Sequence, residues 1–203
     1  MREKMKPRII LASTSPRRHG LLQQIGVEFE VIHSDFEEDM TQNLPPVALA
    51  RKLAEEKAMD VAKKVGDGIV IGADTFLVAG NKKLGKPKDK HDAIRMLKAM
   101  SGKTIKVVSG LAIIDAKTGR KVVDSEVTKI KVRRMTNSEI KCYVDTKEAL
   151  DKAGCIAIQG LGAIFISEIH GCSSNVIGLP LYNLYRNLRK FGVNIFEFEK
   201  WKS

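Results

Sequence analysis

Residues 11–18 read LASTSPRR: the hydroxyl side chains Ser13, Thr14 and Ser15, then Pro16, Arg17 and Arg18, directly after the apolar run Ile9, Ile10, Leu11. This order is that of a strand turning into a helix. Ser15 stands where an N-cap belongs, and Pro16 takes the first helical position, where a missing N–H costs nothing. The first turn of a helix is partially positive and favours acids, so two arginines there call for something negative to offset them. Backbone N–H groups, hydroxyls and a helix N-terminus at one point form an anion cradle, and guanidinium groups add bidentate recognition of phosphate. A solvated, well-capped helix start with incidental arginines fits the same residues, so the segment alone leaves both readings open.

Other residues are out of place in ways that chemistry could explain. Asp74 interrupts the apolar run GIVIGADTFLVAG at 68–80, beside Thr75. A carboxylate there is costly unless it is paired or used. Lys57 falls on the apolar stripe of a helix with Ala50, Leu53, Ala54, Ala58 and Val61, where it either snorkels or reaches a buried partner. The acidic loop SDFEEDM offers Glu37 or Glu38, LGKPKD holds Lys86 before a proline that keeps its backbone extended, and DKAGCIAIQGLG places Gln159 among small residues. A glutamine amide both donates and accepts, so it can read the edge of a base. An anion cradle, spread cations and displaced acids make an inventory for triphosphate chemistry with a divalent metal: carboxylates hold the metal, cations neutralise oxygens and a base activates water.

The elements that must position these groups follow from periodicity and punctuation. A strand is expected at 8–12, a helix from 16 closed by Gly26, a short strand near 28–33, and a helix from Pro45–Pro46 to about Lys64 closed by Gly66. The strand bearing Asp74 runs into a hairpin turn at Gly80–Asn81. A helix follows at 90–101, then long strands at about 104–114 and 121–134, and a helix near 137–147 opened by the capping box Thr136/Glu139. A glycine-punctuated segment, a strand near 163–169, a loop to NVIGLP and a last helix at about 180–190 follow. Early alternation of strands and helices with a central strand pair predicts a mixed α/β sheet. SGKT at 101–104 is not a P-loop: the position five before Gly102 is Leu97, and the segment follows a helix and precedes a strand.

The 203 residues carry a net charge of +11 and are 43% hydrophobic and 29% charged, an ordinary balance for a globular chain. Acids are interspersed with the basic residues, as in RKLAEEKAMDVAKK, and aromatics make up only 5%. That distribution argues against a base-stacking nucleic-acid platform, and a small polyanion such as a nucleotide satisfies the charge equally well. The alternative is a nucleic-acid-binding or regulatory nucleotide-binding module without turnover. Neither a membrane span nor a signal peptide is legible, the basic start MREKMK leading into only a short apolar run, so a cytoplasmic protein is expected. Cys142, Cys155 and Cys172 lack zinc spacing and are read as reduced thiols. A homodimer is compatible with the sequence.

In order, LASTSPRR, ARKLAEEKA, IGADT, GKPKD, AIRMLKAMSGKT, YVDTKEALDKAG, IQGLG and NVIGLP resemble the Maf-like nucleoside triphosphate pyrophosphatases, relatives of the inosine triphosphate pyrophosphatases, over nearly the whole chain. The resemblance implies an α/β fold in which a mixed twisted sheet is flanked by helices, with two lobes around a central cleft in one domain spanning 1–203. It implies metal-dependent attack of water on the α-phosphorus of a nucleoside triphosphate, giving the monophosphate and pyrophosphate, in a house-cleaning or regulatory role. The expected cofactor is Mg²⁺, with Mn²⁺ as the alternative. The family's catalytic aspartate falls on Asp74 and its glutamate on Glu38, together the expected metal ligands, and its phosphate-handling cations fall on Arg18, Lys57 and Lys86. Asp74, Lys57 and Lys86 are thus expected to be catalytic, with Ser13, Ser15, Arg17, Arg18, Thr75 and Gln159 binding substrate. Arg17, Thr75 and Gln159 match the selectivity positions of the branch acting on dTTP and UTP. The branch acting on 7-methyl-GTP carries a different segment in place of DKAGCIAIQG. The chain departs from the family pattern at Gly85, Lys106 and Ser109, and in reading IAIQG rather than YGIQG.

Overall fold

The computed structural model describes residues 7–198, so the basic residues 1–6 of the N-terminal reading lie outside it. The elements are, in order, β1 (Ile9–Leu11), α1 (Pro16–Gln24), β2 (Glu30–Val31), α2 (Pro46–Val65), β3 (Ile69–Ala79), β4 (Lys82–Leu84), α3 (Lys90–Met100), β5 (Thr104–Asp115), β6 (Lys121–Val132), α4 (Asn137–Asp145), β7 (Ile166–His170), α5 (Ser173–Ile177) and α6 (Leu181–Leu188). Short 3₁₀ turns at 148–165 lie between α4 and β7. Seven strands form one mixed sheet in the order β2-β1-β3-β5-β6-β7, with β4 folded back on β3. The β2, β1 and β3 pairings are parallel, and the others antiparallel. The Gly80–Asn81 turn is present: Ala79 pairs with Lys82, and Gly80 takes the left-handed φ of +58° that such a turn needs. Among the described residues no helix is long and apolar enough to cross a membrane. The three cysteines are free thiols.

Helix α2 covers one face of the sheet. Its Ala54, Ala58 and Val61 pack with Ile10, Val70 and Ala112, and its Leu49, Ala50 and Leu53 with Phe76, Val78 and Val108. The helix sits very close to the strands because two glycines face it. A Cβ on Gly72 would fall 2.4 Å from the Ala54 carbonyl oxygen, and one on Gly110 would fall 1.9 Å from that of Ala50. Even-numbered residues of β3 face α2, so Asp74, two residues from Gly72 and paired in register with Gly110, also points toward the helix.

The other face is divided. Ile69, Ile71 and Ala73 pack with Leu21, Leu22, Leu184 and Leu188 of α1 and α6. Two turns of strand later, Leu77 packs instead with Leu97 and Met100 of α3 and Ile140 and Tyr143 of α4. Thr75 lies between these clusters, where neither covers it. Asp74 under α2 and Thr75 in the gap therefore open a cleft from both sides of one strand.

Two expectations are corrected. The loop expected between the strand near 163–169 and NVIGLP contains α5, which runs into that motif through Asn175–Ile177. The strand expected from 163 begins at Ile166, since Leu161–Phe165 wind into a 3₁₀ turn anchored by a side chain described below.

Candidate active site

The floor of the cleft is an ammonium held between two carboxylates. Lys57 Nζ donates to Asp74 Oδ1 at 2.6 Å and also to Glu38 Oε1. Lys57 is only 8% exposed and Asp74 only 5%. The lysine on the apolar stripe thus does not snorkel; it meets the acid in the apolar strand, and each accounts for the burial of the other. Glu38 comes from the loop before α2. Phe36 and Met40 pack on the start of α2, and Asp60 of α2 accepts from Ser34 Oγ at 2.9 Å and from the Asp35 N–H at 2.8 Å. Between these anchors Glu38, rather than Glu37, turns to Lys57.

The turn from β1 to α1 forms the adjoining wall. Ser15 occupies the N-cap position, but its side chain makes no cap hydrogen bond. Ser13 Oγ takes over the organisation: it accepts from the Ser15 N–H at 3.2 Å and from Arg18 Nη1 at 3.0 Å. Arg18 Nε donates to the Gly178 carbonyl at 3.0 Å, tying α1 to the turn after α5. Burial draws the Arg18 pKa below its ordinary value, while the charges of Asp74 and Glu38 oppose that shift. Backbone geometry and a partly buried guanidinium therefore give this corner a positive character that the protein's own acids offset only in part.

Ser13, Ser15, Arg17, Arg18, Glu38, Lys57, Asp74, Thr75 and Lys86 all line one cleft of about 540 Å³. Gln159 lines a narrower adjoining pocket, which shares Ser15, Arg17, Arg18 and Thr75 with the cleft. All ten residues singled out from the sequence therefore converge. Lys86 is carried by a loop fastened through the Gly154 N–H to the Gly85 carbonyl at 2.8 Å. A Cβ at Gly85 would meet nothing within 4 Å, so this departure from the family pattern reflects no steric demand. Thr75 differs in detail from a direct base reader: its hydroxyl donates to the Gly178 carbonyl at 3.2 Å and lies 2.7 Å from Ser109 Oγ. Ser109 is wholly buried, so this second departure supports Thr75 from behind.

Sequence reasoning missed three contributors. The Gly178 carbonyl joins Arg18 and Thr75, and no side-chain pattern announces a backbone oxygen. Lys152 and Asp151 line the pockets from the glycine-punctuated segment, where only their place in that segment could have drawn notice. Among the described residues, no group of three or more His, Cys, Asp and Glu side chains gathers into a metal-holding cluster. What is present is a pair of carboxylates already arranged around one positive charge. That donor set suits a hard divalent cation that keeps waters and shares substrate phosphate oxygens.

The chain matches the family model described as Maf-like protein over residues 8–191. It is 50% identical over 191 residues to a protein of Desulforamulus reducens named dTTP/UTP pyrophosphatase, covering 94% of this chain and 100% of that one. It is 47% identical over 197 residues to a protein of the same name from Acetivibrio thermocellus, covering 94% and 98%. Among solved structures, a HAM1 protein from Coxiella burnetii aligns with a TM-score of 0.45 at 19% identity, covering 64% of this chain and 74% of that one.

Proposed function

Because the chain belongs to the Maf-like protein family, we propose that it hydrolyses dTTP, UTP and related pyrimidine nucleoside triphosphates to the monophosphate and pyrophosphate. The observation that carries this reading is the Lys57–Glu38–Asp74 centre at the floor of a cation-lined cleft with a small polar pocket beside it. The names of the relatives at about half identity support the substrate class.

In this reading the base enters the pocket lined by Gln159 and Arg17, and the triphosphate runs toward Lys86 and Arg18. Asp74 accepts the proton of the attacking water through Oδ2 while Lys57 holds Oδ1. The water oxygen bonds to the α-phosphorus, and the bond from that phosphorus to the bridging oxygen breaks. Arg18 and Lys86 neutralise the oxygens of the departing pyrophosphate, an electrostatic role that acts where charge develops. Glu38 and Asp74 would hold a divalent cation, Mg²⁺ or Mn²⁺, which supplies neutralisation of the phosphate oxygens when bound. Uracil and thymine present a donor N3–H between two carbonyls, which the amide of Gln159 and the guanidinium of Arg17 can match.

A panel of UTP, dTTP, CTP, GTP and ATP with Mg²⁺, with products separated by ion exchange, tests the proposal. UMP and pyrophosphate from UTP, with kcat/KM above that for either purine, is the expected result. Orthophosphate and UDP as first products would overturn the reaction, and a purine preference would overturn the substrate.

A further inference from the structure

Gln159 has to be held by its backbone, because among the described residues its side chain makes no hydrogen bond within the chain, and it is exposed to the pocket. The loop that carries it, 155–162, is fixed at both ends by one pair of side chains. Glu148 Oε2 accepts the Leu161 N–H at 2.9 Å, and Oε1 accepts the Gly162 N–H at 2.9 Å. The Tyr143 hydroxyl lies 3.2 Å from the same Oε1 and 2.9 Å from the Cys155 carbonyl oxygen.

The fit around this pair is close. A Cβ on Gly160 would fall 2.7 Å from Glu148 Oε1, and one on Gly162 would fall 2.6 Å from the Tyr143 hydroxyl. Cys155, at the near end of the loop, holds a left-handed φ of +65° that few non-glycine residues adopt. Such a conformation persists only where surrounding contacts dictate it, and the Tyr143 hydroxyl on its carbonyl is one of them. Tyr143 is itself fixed, 2% exposed and edge-on to Phe165.

We propose that Glu148, with Tyr143, is a positioning residue for base recognition: it sets the 155–162 loop so that Gln159 faces the pyrimidine edge, and so governs which base is accepted without touching it. The inference rests on the proposed reading of Gln159. A carboxylate suits the task because it only accepts: two backbone N–H groups converge on it, and the single Tyr143 hydroxyl hydrogen is shared between it and the Cys155 carbonyl. Burial opposes its ionisation, but the N–H groups of Gly162 and Leu161 and the Tyr143 hydroxyl outweigh that, holding Glu148 below the usual glutamate range. Glu148→Gln preserves size but turns an amide NH₂ toward one of the two backbone donors.

The test is equilibrium binding, by calorimetry with Mg²⁺, of the α,β-imido analogues of UTP and GTP and of inorganic tripolyphosphate. It compares the wild type with Glu148→Gln, Tyr143→Phe, Gln159→Ala and the Glu148→Gln/Gln159→Ala double variant. Expected is a wild-type preference for the uridine analogue that falls about tenfold or more in Glu148→Gln, the scale of losing a recognition hydrogen bond to a base. A smaller loss in the same direction is expected in Tyr143→Phe, and unchanged tripolyphosphate affinity in both. Glu148→Gln should have no further effect on the preference once Gln159 is alanine. A merely structural role would weaken tripolyphosphate as much as nucleotide, or act equally in the Gln159→Ala background, and either result overturns the proposal. If Glu148→Gln does not fold, Tyr143→Phe decides by the same criteria. A preference that survives in Glu148→Gln and Tyr143→Phe but falls in Gln159→Ala overturns this inference alone, and one that survives in Gln159→Ala overturns the Gln159 reading with it. A wild type without preference overturns both it and the pyrimidine assignment.

Discussion

Lys57 serves two carboxylates at once, and the two ends of that arrangement are exposed very differently: Asp74 is buried, while the Glu38 side chain is 47% exposed. Removing the ammonium leaves Asp74 without its hydrogen-bonded ion-pair partner. Lys57→Ala is therefore expected to lose about 3–5 kcal/mol of stability, the range for breaking a buried pair from one side, when no divalent cation is present. Mg²⁺ bound by Glu38 and Asp74 would restore part of that by mass action. Melting with and without Mg²⁺ should then show a larger upward shift of Tm in the variant than in the wild type, and equal shifts would argue against cation binding at this pair. Asp74→Asn addresses the chemistry itself. It keeps the shape and removes the proposed base, so kcat should fall by roughly two to four orders of magnitude, the usual contribution of general base catalysis. Turnover near the wild-type rate in the folded variant would leave Asp74 a structural partner of Lys57 only.

Helix α2 delivers Lys57 because β3 and β5 leave it room at Gly72 and Gly110. Gly110→Ala places a methyl group 1.9 Å from the Ala50 carbonyl oxygen, a backbone atom that cannot rotate away, so the helix has to lift. Destabilisation of about 1–3 kcal/mol is expected from such overpacking, with loss of activity because Lys57 moves off Asp74; a variant with wild-type melting and kinetics would mean that α2 can shift freely. At α4 the capping box is complete, with Arg133 added: Thr136 and Glu139 exchange backbone bonds, and Arg133 Nη2 donates to Glu139 at 2.8 Å. Chiefly through Arg133, and also through the Thr136 N–H, the Glu139 pKa is lowered to about 2. A carboxyl depressed in the folded state stabilises above its unfolded pKa and loses that contribution as pH falls through its folded one. The Tm deficit of Glu139→Gln should accordingly be constant at neutral pH and shrink between about 4.5 and 2; a deficit independent of pH would show that the ionised form plays no part. The capping box, the hairpin turn and the long strands were legible because each is a local pattern. So were the two misplaced charges, Asp74 in an apolar strand and Lys57 on an apolar stripe, since burial of a charge contradicts its own periodicity. The Gly178 carbonyl and the Glu148 anchor of the 155–162 loop were not, because they join segments far apart in the chain through irregular backbone that carries no period; the Ser109 hydroxyl behind Thr75 was not, because it depends on the register of β3 with β5, which no local pattern sets.

The molecule as a whole is one sheet whose central strand separates two coverings: α2 along one side, and on the other α1 with α6 at one end and α3 with α4 at the other. Asp74 and Thr75 are neighbours on that strand, about 3.8 Å apart at their Cα atoms, yet one looks to the carboxylate–lysine floor and the other to the pocket beside Gln159. The strand therefore acts as a gauge. In the proposed reading its two faces hold the base end and the reacting phosphorus at a separation that the covalent backbone between Asp74 and Thr75 sets. In that reading counting begins at the base, not at the free end of the phosphate chain. Uridine 5′-tetraphosphate should thus be cut to UMP and tripolyphosphate, resolved by ion-exchange chromatography, whereas UDP with pyrophosphate would mean that the terminal phosphate is the reference. A site that measures from the nucleoside is indifferent to how far the phosphates extend beyond the first, and its length tolerance lies outward, toward solvent.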